Sequence, residues 1–359
     1  SSAASDVYKR QMLYCLSPSW KGGMVMECPA HIMAAPCRAA SIRVLVADSA
    51  GSQYSTMRKA MMSAPVLYSP DDVRKLMAGG DAILIDVRDA KDYEAGHIPG
   101  AVNMADIFTY LAETTEGGLR TLQDTFANLF ADYGLDGKKT AIIYEDALHT
   151  RYGASCRGYW ILRYLGYPHV GILDGGLSAW RRAGGAFTTE VTTPVQTQFP
   201  LSINAELMAT YADVRAALGS ATVRLLDNRD RVEWLGESSS PYGIDFAPRK
   251  GRIPGAVWIE WYEFMHVTDN HASFRPAQEI RALAASRGLF PGDDIIIYCF
   301  KGARAANTYV ALALAGFTRL RIYMGSWNEW SRNPALPIEN GLPRAAAPYR
   351  VKPDGAGVE

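Results

Sequence analysis

Apolar positions fall into short, partly β-branched runs: Ile83-Leu84-Ile85, Ala141-Ile142-Ile143-Tyr144, Leu225-Leu226 and Ile295-Ile296-Ile297-Tyr298. Between them lie stretches with helical spacing, at Val73 to Met77, Gln123 to Phe130, Tyr211 to Leu218 and Ala277 to Ala285. Apolar runs without alternation suit strands buried on both faces, and strands alternating with amphipathic helices predict an α/β fold. In that fold a mainly parallel sheet carries helices on both faces.

The pattern occurs twice. Ile85-Asp86-Val87-Arg88 is answered by Leu226-Asp227-Asn228-Arg229, and Gly96-His97-Ile98-Pro99-Gly100-Ala101 by Gly251-Arg252-Ile253-Pro254-Gly255-Ala256. Ala141 to Tyr144 is answered by Ile295 to Tyr298, Leu165-Gly166-Tyr167 by Ala315-Gly316-Phe317, and Leu173 to Trp180 by Tyr323 to Trp330. Landmarks in one order at an offset of about 150 residues indicate a duplicated domain. The second copy carries an insertion around Glu237 to Arg249, rich in Ser, Pro and Gly. The expected order is an N-terminal extension over 1–62, a first copy over 63–185, a linker over 186–205, a second copy over 206–340 and a tail over 341–359.

Length agrees, because 359 residues exceed the ~100–200 of one domain. Hydrophobic residues at 48% and charged residues at 21% exclude a wholly disordered chain. Lys+Arg and Asp+Glu cancel at 37 each, which argues against a nucleic-acid coat or a polybasic membrane binder. Apolar stretches such as Tyr309 to Gly316 fall well short of the ~20 residues a spanning helix needs. Five cysteines without a Cys-x-x-Cys pair suit a reducing compartment and argue against structural zinc. The extension holds seven basic residues against three acidic ones and reads as an organelle transit peptide, as a stretch with no address, or at its start as read-through sequence. Its Cys15, Cys28 and Cys37 receive no role.

The chemistry concentrates in Tyr298-Cys299-Phe300-Lys301-Gly302-Ala303-Arg304. A buried strand ends at Cys299 and a helix starts near Ala303 to Ala305, so the thiol sits where open parallel sheets bind ligands. Free N–H groups and the helix dipole favour an anion there, and thus a reactive thiolate. Gly302 lets the loop curl, while Lys301 and Arg304 add charge for an anionic substrate. The alternative is a buried structural cysteine, which the Lys, Gly and Arg neighbours oppose. The Cys-x4-Arg loop is one residue shorter than the Cys-x5-Arg phosphate cradle of protein tyrosine phosphatases, which suits a smaller group on sulfur.

Other residues have competing readings. Asp86 and Asp227 are catalytic acids or, preferably, partners of turn backbone and nearby Arg; Arg88 reads as structural. Glu233 and Glu237 are proton acceptors or, preferably, part of a solvated face. His97 packs or caps its turn. His266 and His271, with Asp269 between them, give only a weak metal hint, and no metal is expected. Trp258, Trp261, Trp327 and Trp330 wall a cleft or fill the core. Neither a dinucleotide fingerprint nor a Walker loop is present, so no nucleotide cofactor is implied.

These landmarks together resemble the rhodanese family of tandem-domain sulfurtransferases over about residues 66–340. The resemblance implies two rhodanese-like domains, the second catalytic. It implies that Cys299 takes a sulfane sulfur as a persulfide, with Arg229, Lys301, Gly302 and Arg304 binding the donor. The donor is then a small anion, thiosulfate in preference to 3-mercaptopyruvate because Lys301 matches the lysine of the thiosulfate enzymes' Cys-Arg-Lys-Gly loop. The acceptor is cyanide or a thiol, including a thioredoxin-like protein, with no cofactor, nucleic acid or membrane. Ala303-Arg304-Ala305, Phe300 and Arg252 depart from the tandem pattern and bear on donor preference. In copy one, Glu145 stands where copy two has Cys299, implying an inactive domain. Cys156 is a second, resolving thiol or, preferably, helix packing. A sulfur carrier without turnover, and an arsenate reductase or phosphatase of the same fold, are the alternatives. The compartment is mitochondrial or plastid if the extension is a transit peptide, and cytoplasmic otherwise.

Overall fold

The computed structural model describes residues 65–268 and 271–342. Copy one runs β1 (Leu67–Tyr68), α1 (Pro70–Gly79), β2 (Ala82–Asp86), α2 (Ala90–Glu94), β3 (Val102–Asn103), α3 (Asp106–Thr109), α4 (Glu116–Asp132), β4 (Thr140–Tyr144), α5 (Ala154–Tyr164), β5 (Val170–Leu173) and α6 (Gly176–Arg182). Copy two runs β6 (Met208–Ala209), α7 (Tyr211–Ala217), β7 (Val223–Asp227), α8 (Arg231–Trp234), β8 (Val257–Trp258), β9 (Met265–Thr268), β10 (His271–Phe274), α9 (Ala277–Ser286), β11 (Asp294–Tyr298), α10 (Ala303–Leu314), β12 (Leu320–Tyr323) and α11 (Ser326–Arg332).

Each copy forms a five-stranded parallel sheet, in the orders β1-β5-β4-β2-β3 and β6-β12-β11-β7-β8. The orders coincide once the repeat is applied. The central strands β4 and β11 are buried from their second residue onward, as their unbroken apolar runs require. Local signals set the helix ends. Ser69 Oγ accepts the Asp72 N–H at 3.2 Å before Pro70, and Thr210 with Asp213 forms a capping box.

Helices α5 and α10, each following a central strand, pack on one another, and ten of the eleven residues of α5 and nine of the twelve of α10 are buried. One apolar cluster runs through this contact from Phe126 and Trp160 in copy one to Ile297 and Val310 in copy two. At the contact a Cβ on Gly153 would lie 2.8 Å from Asn307 Cβ. The segment after α6 has no regular structure and is bonded to copy one, with Ser202 N–H donating to Leu165 O and Asn204 N–H to Tyr164 O.

The antiparallel hairpin β9–β10 was not expected from the pattern. It separates the two histidines. His266 Nε2 faces Glu279 at 3.2 Å, and His271 Nδ1 faces Arg182 at 2.8 Å. Asp269, the three N-terminal cysteines, the extension itself and the tail beyond Leu342 lie outside the described residues. Among the described residues no helix is long and apolar enough to cross a membrane.

Candidate active site

Strand β11 ends at Tyr298, and helix α10 begins at Ala303 after the four-residue turn Cys299 to Gly302. Gly302 adopts φ +95°, and a Cβ there would come within 2.1 Å of Met324 Sδ, so only glycine fits. Its N–H donates to Cys299 Sγ at 3.1 Å. The rest of the loop is pinned from behind. The Cys299 N–H donates to Ser326 Oγ at 3.2 Å, while Trp327 and Asn328 N–H groups donate to the Cys299 and Phe300 carbonyls at 2.9 and 3.0 Å. Ser326, at φ +53°, donates its own hydroxyl to Tyr323 O.

Cys299 lines a pocket whose volume, open solvent at its mouth included, is about 200 Å³. The walls are Tyr152 from copy one, Pro241 and Tyr242 from the insertion, and Phe300, Lys301, Ala303 and Arg304 from the loop and helix. Lys301 Nζ sits 3.8 Å from the Phe108 ring centroid and 5.2 Å from that of Tyr242. Burial above all, then the charges of Arg157, Arg151 and Arg304, push its ammonium well below the ordinary lysine range, while Cys299 pulls the other way. The copy-one segment carrying Phe108 is held by Arg157, which donates to the Phe108 and Tyr110 carbonyls at 2.7 Å each.

Of the residues expected at the site, Cys299, Lys301, Gly302 and Arg304 converge there and Arg229 does not. Arg229 is fully buried, donates to Asp227 and to Gly251 O at 2.7 Å, and lies over Trp327. Arg88 repeats the arrangement with Asp86 and Gly96 O in copy one. The Asp-x-Arg pair therefore clamps each strand end to its following loop, and the substrate-binding reading of Arg229 is corrected to that. Asp86 and Asp227 are ion-paired as preferred.

Arg304 reaches the pocket, but its guanidinium is bound to Glu233 at 2.5 and 3.1 Å and to Asp230 at 3.0 Å. Glu233 is buried, correcting the solvated-face reading, whereas Glu237 is exposed. Asp230-x-x-Glu233 is a capping box, a spacing that the sequence does display. The positive charge Arg304 was expected to offer a donor is thus met by two carboxylates. Arg252, in the place of His97, is likewise structural: it donates to Trp234 O and Gly341 O. His97 stacks on Tyr93 at 3.6 Å. Trp261, Trp327 and Trp330 are core, and Trp258 stacks on Trp234 at 5.3 Å.

In copy one the cradle is filled from within. Glu145 is fully buried and accepts the Ala154 and Ser155 N–H groups at 3.3 and 3.2 Å and the Ser155 hydroxyl at 2.7 Å. A carboxyl group thus takes the helix N-terminus that faces the thiol in copy two. Burial, outweighing these donors, raises its pKa to about 8. Cys156 is fully buried, and burial followed by the Glu145 charge pushes its thiol up. That environment fits packing. The aromatic walls Tyr152, Tyr242 and Phe108 were not foreseen, because they come from segments outside the repeat landmarks.

The fold and a loop-borne thiol at a helix N-terminus define a tandem α/β protein in which copy two carries the thiol on this loop and copy one does not. The Rhodanese-like domain matches residues 69–183 and again 210–333, and the chain belongs to the rhodanese family. It is 30% identical to a thiosulfate sulfurtransferase of Pseudomonas aeruginosa, over 77% of this chain and 97% of that protein. It is 32% identical to a probable 3-mercaptopyruvate sulfurtransferase of the same organism, over 78% of this chain and all of that one. Among solved structures, an anaerobic ergothioneine biosynthesis enzyme from Chlorobium limicola, in complex with trimethyl histidine, superposes with a TM-score of 0.68. It shares 25% identity and is covered over 77% of this chain and 71% of that one. The two Pseudomonas aeruginosa relatives are sulfurtransferases by name, and sulfur transfer is the general activity of this chain's class.

Proposed function

We propose that this chain is a thiosulfate sulfurtransferase working through Cys299, with 3-mercaptopyruvate as the second donor. The observation that carries the reading is the Cys299 loop: a thiol facing a helix N-terminus, accepting the Gly302 N–H, beside a buried lysine in a narrow pocket. The Cys299 thiolate attacks the outer sulfur of thiosulfate. The S–S bond breaks, sulfite leaves with its electron pair, and the outer sulfur remains as a cysteine persulfide. Lys301 balances the donor's negative charge, and the loop N–H groups hold the terminal sulfur. Cyanide carbon, or a thiolate, then attacks that sulfur and Cys299 is released as thiolate. The steps use no metal or organic cofactor. Copy one contributes the Tyr152 wall and the seat of Lys301, not a second sulfur site, because Glu145 occupies the equivalent position.

Steady-state transfer to cyanide, with thiosulfate and 3-mercaptopyruvate in parallel, tests this. Ping-pong kinetics are expected, with the larger kcat/KM for thiosulfate and turnover abolished in Cys299→Ser. Transfer that survives the substitution would refute the role of Cys299. A larger kcat/KM for 3-mercaptopyruvate would reverse the donor order. No turnover with either donor, while Cys299 still reacts with a thiol alkylator, would favour a persulfide carrier.

A further inference from the structure

Cys299 is only 1% exposed, and the pocket it lines is also lined by two tyrosines from different parts of the chain. Tyr152 belongs to the copy-one loop that equals the Cys299 loop in the repeat. It adopts φ +58°, between Arg151 at +46° and Gly153 at +78°. Left-handed backbone at a non-glycine residue costs about 1–3 kcal/mol and persists only where the surroundings over-determine it. Here the ring is held 6.1 Å from that of the fully buried Trp261, and the Arg304 guanidinium lies 5.6 Å from it. This wall is fixed.

Tyr242 lines the same pocket and is held differently. It stands half-exposed on the insertion that copy one lacks, its ring 5.0 Å from Phe300 and 5.2 Å from Lys301 Nζ. The turn beneath it is closed by Ser240, whose Oγ accepts the Tyr242 N–H and donates to Gly243 O. At the far end Arg249 donates to the carbonyls of Ser331, Leu336 and Trp330 and ties the insertion to the end of α11. The extra residues of copy two thus lie over the only loop that carries a cysteine at this position. The figure of about 200 Å³ takes in open solvent at the mouth, so the space closed off beside Cys299 is smaller than that.

We infer that Tyr152 and Tyr242 set an upper size limit on the sulfur acceptor, so that the physiological acceptor is a small molecule. Cyanide or a short alkyl thiol reaches the terminal sulfur directly. A tripeptide thiol is slowed, and a protein thiol is excluded while the insertion holds its place. This rests on the Cys299 persulfide reading and narrows it.

The test loads the full chain with sulfur from thiosulfate, removes the donor, and mixes it with 2-mercaptoethanol, glutathione or reduced thioredoxin. Loss of one sulfur atom is followed by intact mass. Glutathione should be slower than 2-mercaptoethanol by about tenfold, a discrimination within reach of pocket sterics, and thioredoxin slower still. Tyr242→Ala should raise the glutathione to 2-mercaptoethanol rate ratio at least about fivefold, while Tyr242→Phe keeps the native ratio. A native ratio near one, or no change in Tyr242→Ala, overturns the inference. Should Tyr242→Ala not fold, the native chain still decides. Its Cys299 should react with iodoacetamide far faster than with a bulky aryl maleimide, compared with a cysteine peptide, and equal relative rates overturn the size limit. Failure to load sulfur would instead refute the persulfide reading, and the alkylation series would still measure the aperture.

Discussion

Lys301 brings an ammonium into a site where burial and three neighbouring guanidinium groups oppose its charge. Its pKa is therefore depressed, and rising pH removes its proton earlier than it would from a solvated lysine. Donor kcat/KM should fall on the alkaline side as this happens. In Lys301→Arg the guanidinium stays charged, and the alkaline limb should move to higher pH. Coincident limbs in the two proteins would show that Lys301 charge does not govern donor capture. At this scale the sequence showed the thiol, the lysine and the glycine, because all three lie in one contiguous loop. Glu233 was read as solvated because its partner Arg304 lies 71 residues away, and such pairing is not written in local spacing. The Arg229–Asp227 pair is local and was expected, but the bond to Gly251 O, 22 residues on, that turns Arg229 inward was not.

At the scale of elements, the repeat carries the legible information. Equivalent strands, loops and helix starts recur down to single bonds: Leu177 and Ser178 N–H groups donate to Glu145 and Asp146 carbonyls as Trp327 and Asn328 do to Cys299 and Phe300. The hairpin β9–β10 has no counterpart in copy one, so the repeat could not announce it. Glu145 gives this scale its prediction. Its carboxyl binds a proton more tightly folded, with a pKa of about 8, than unfolded, near 4.5. Its contribution is therefore fully present below pH 4.5 and is lost as pH rises through 8. At 1.36 kcal/mol per pKa unit the loss is at most about 5 kcal/mol. Glu145→Gln keeps an acceptor for the Ala154 and Ser155 N–H groups without the titration. Urea denaturation from pH 5 to 8 should show a flatter stability curve for Glu145→Gln than for the native chain. Parallel curves would mean that Glu145 is ionised throughout the range.

For the whole molecule, tandem copies do not imply separable domains. The residues of α10 are buried on nearly every side, and part of what buries them is α5 of copy one. From Ala303 to Leu312 every residue of α10 but Tyr309 is buried, so copy two alone would expose the side that Cys156, Leu148 and Gly153 now cover. The sequence revealed two copies but not their joint core, since each helix pattern is satisfied equally by its own sheet or by a neighbour. The shared cluster predicts one cooperative unit. Under increasing denaturant, amides of Ile142 and Ile143 in β4 should exchange through the same opening as those of Ile296 and Ile297 in β11, with equal free energies and equal denaturant slopes. Two distinct slopes would make the copies independent, and a fragment covering residues 206–340 should then fold and carry sulfur unaided. With one slope, that fragment should be unfolded, and the inactive copy is retained because the active helix has no other surface on which to pack.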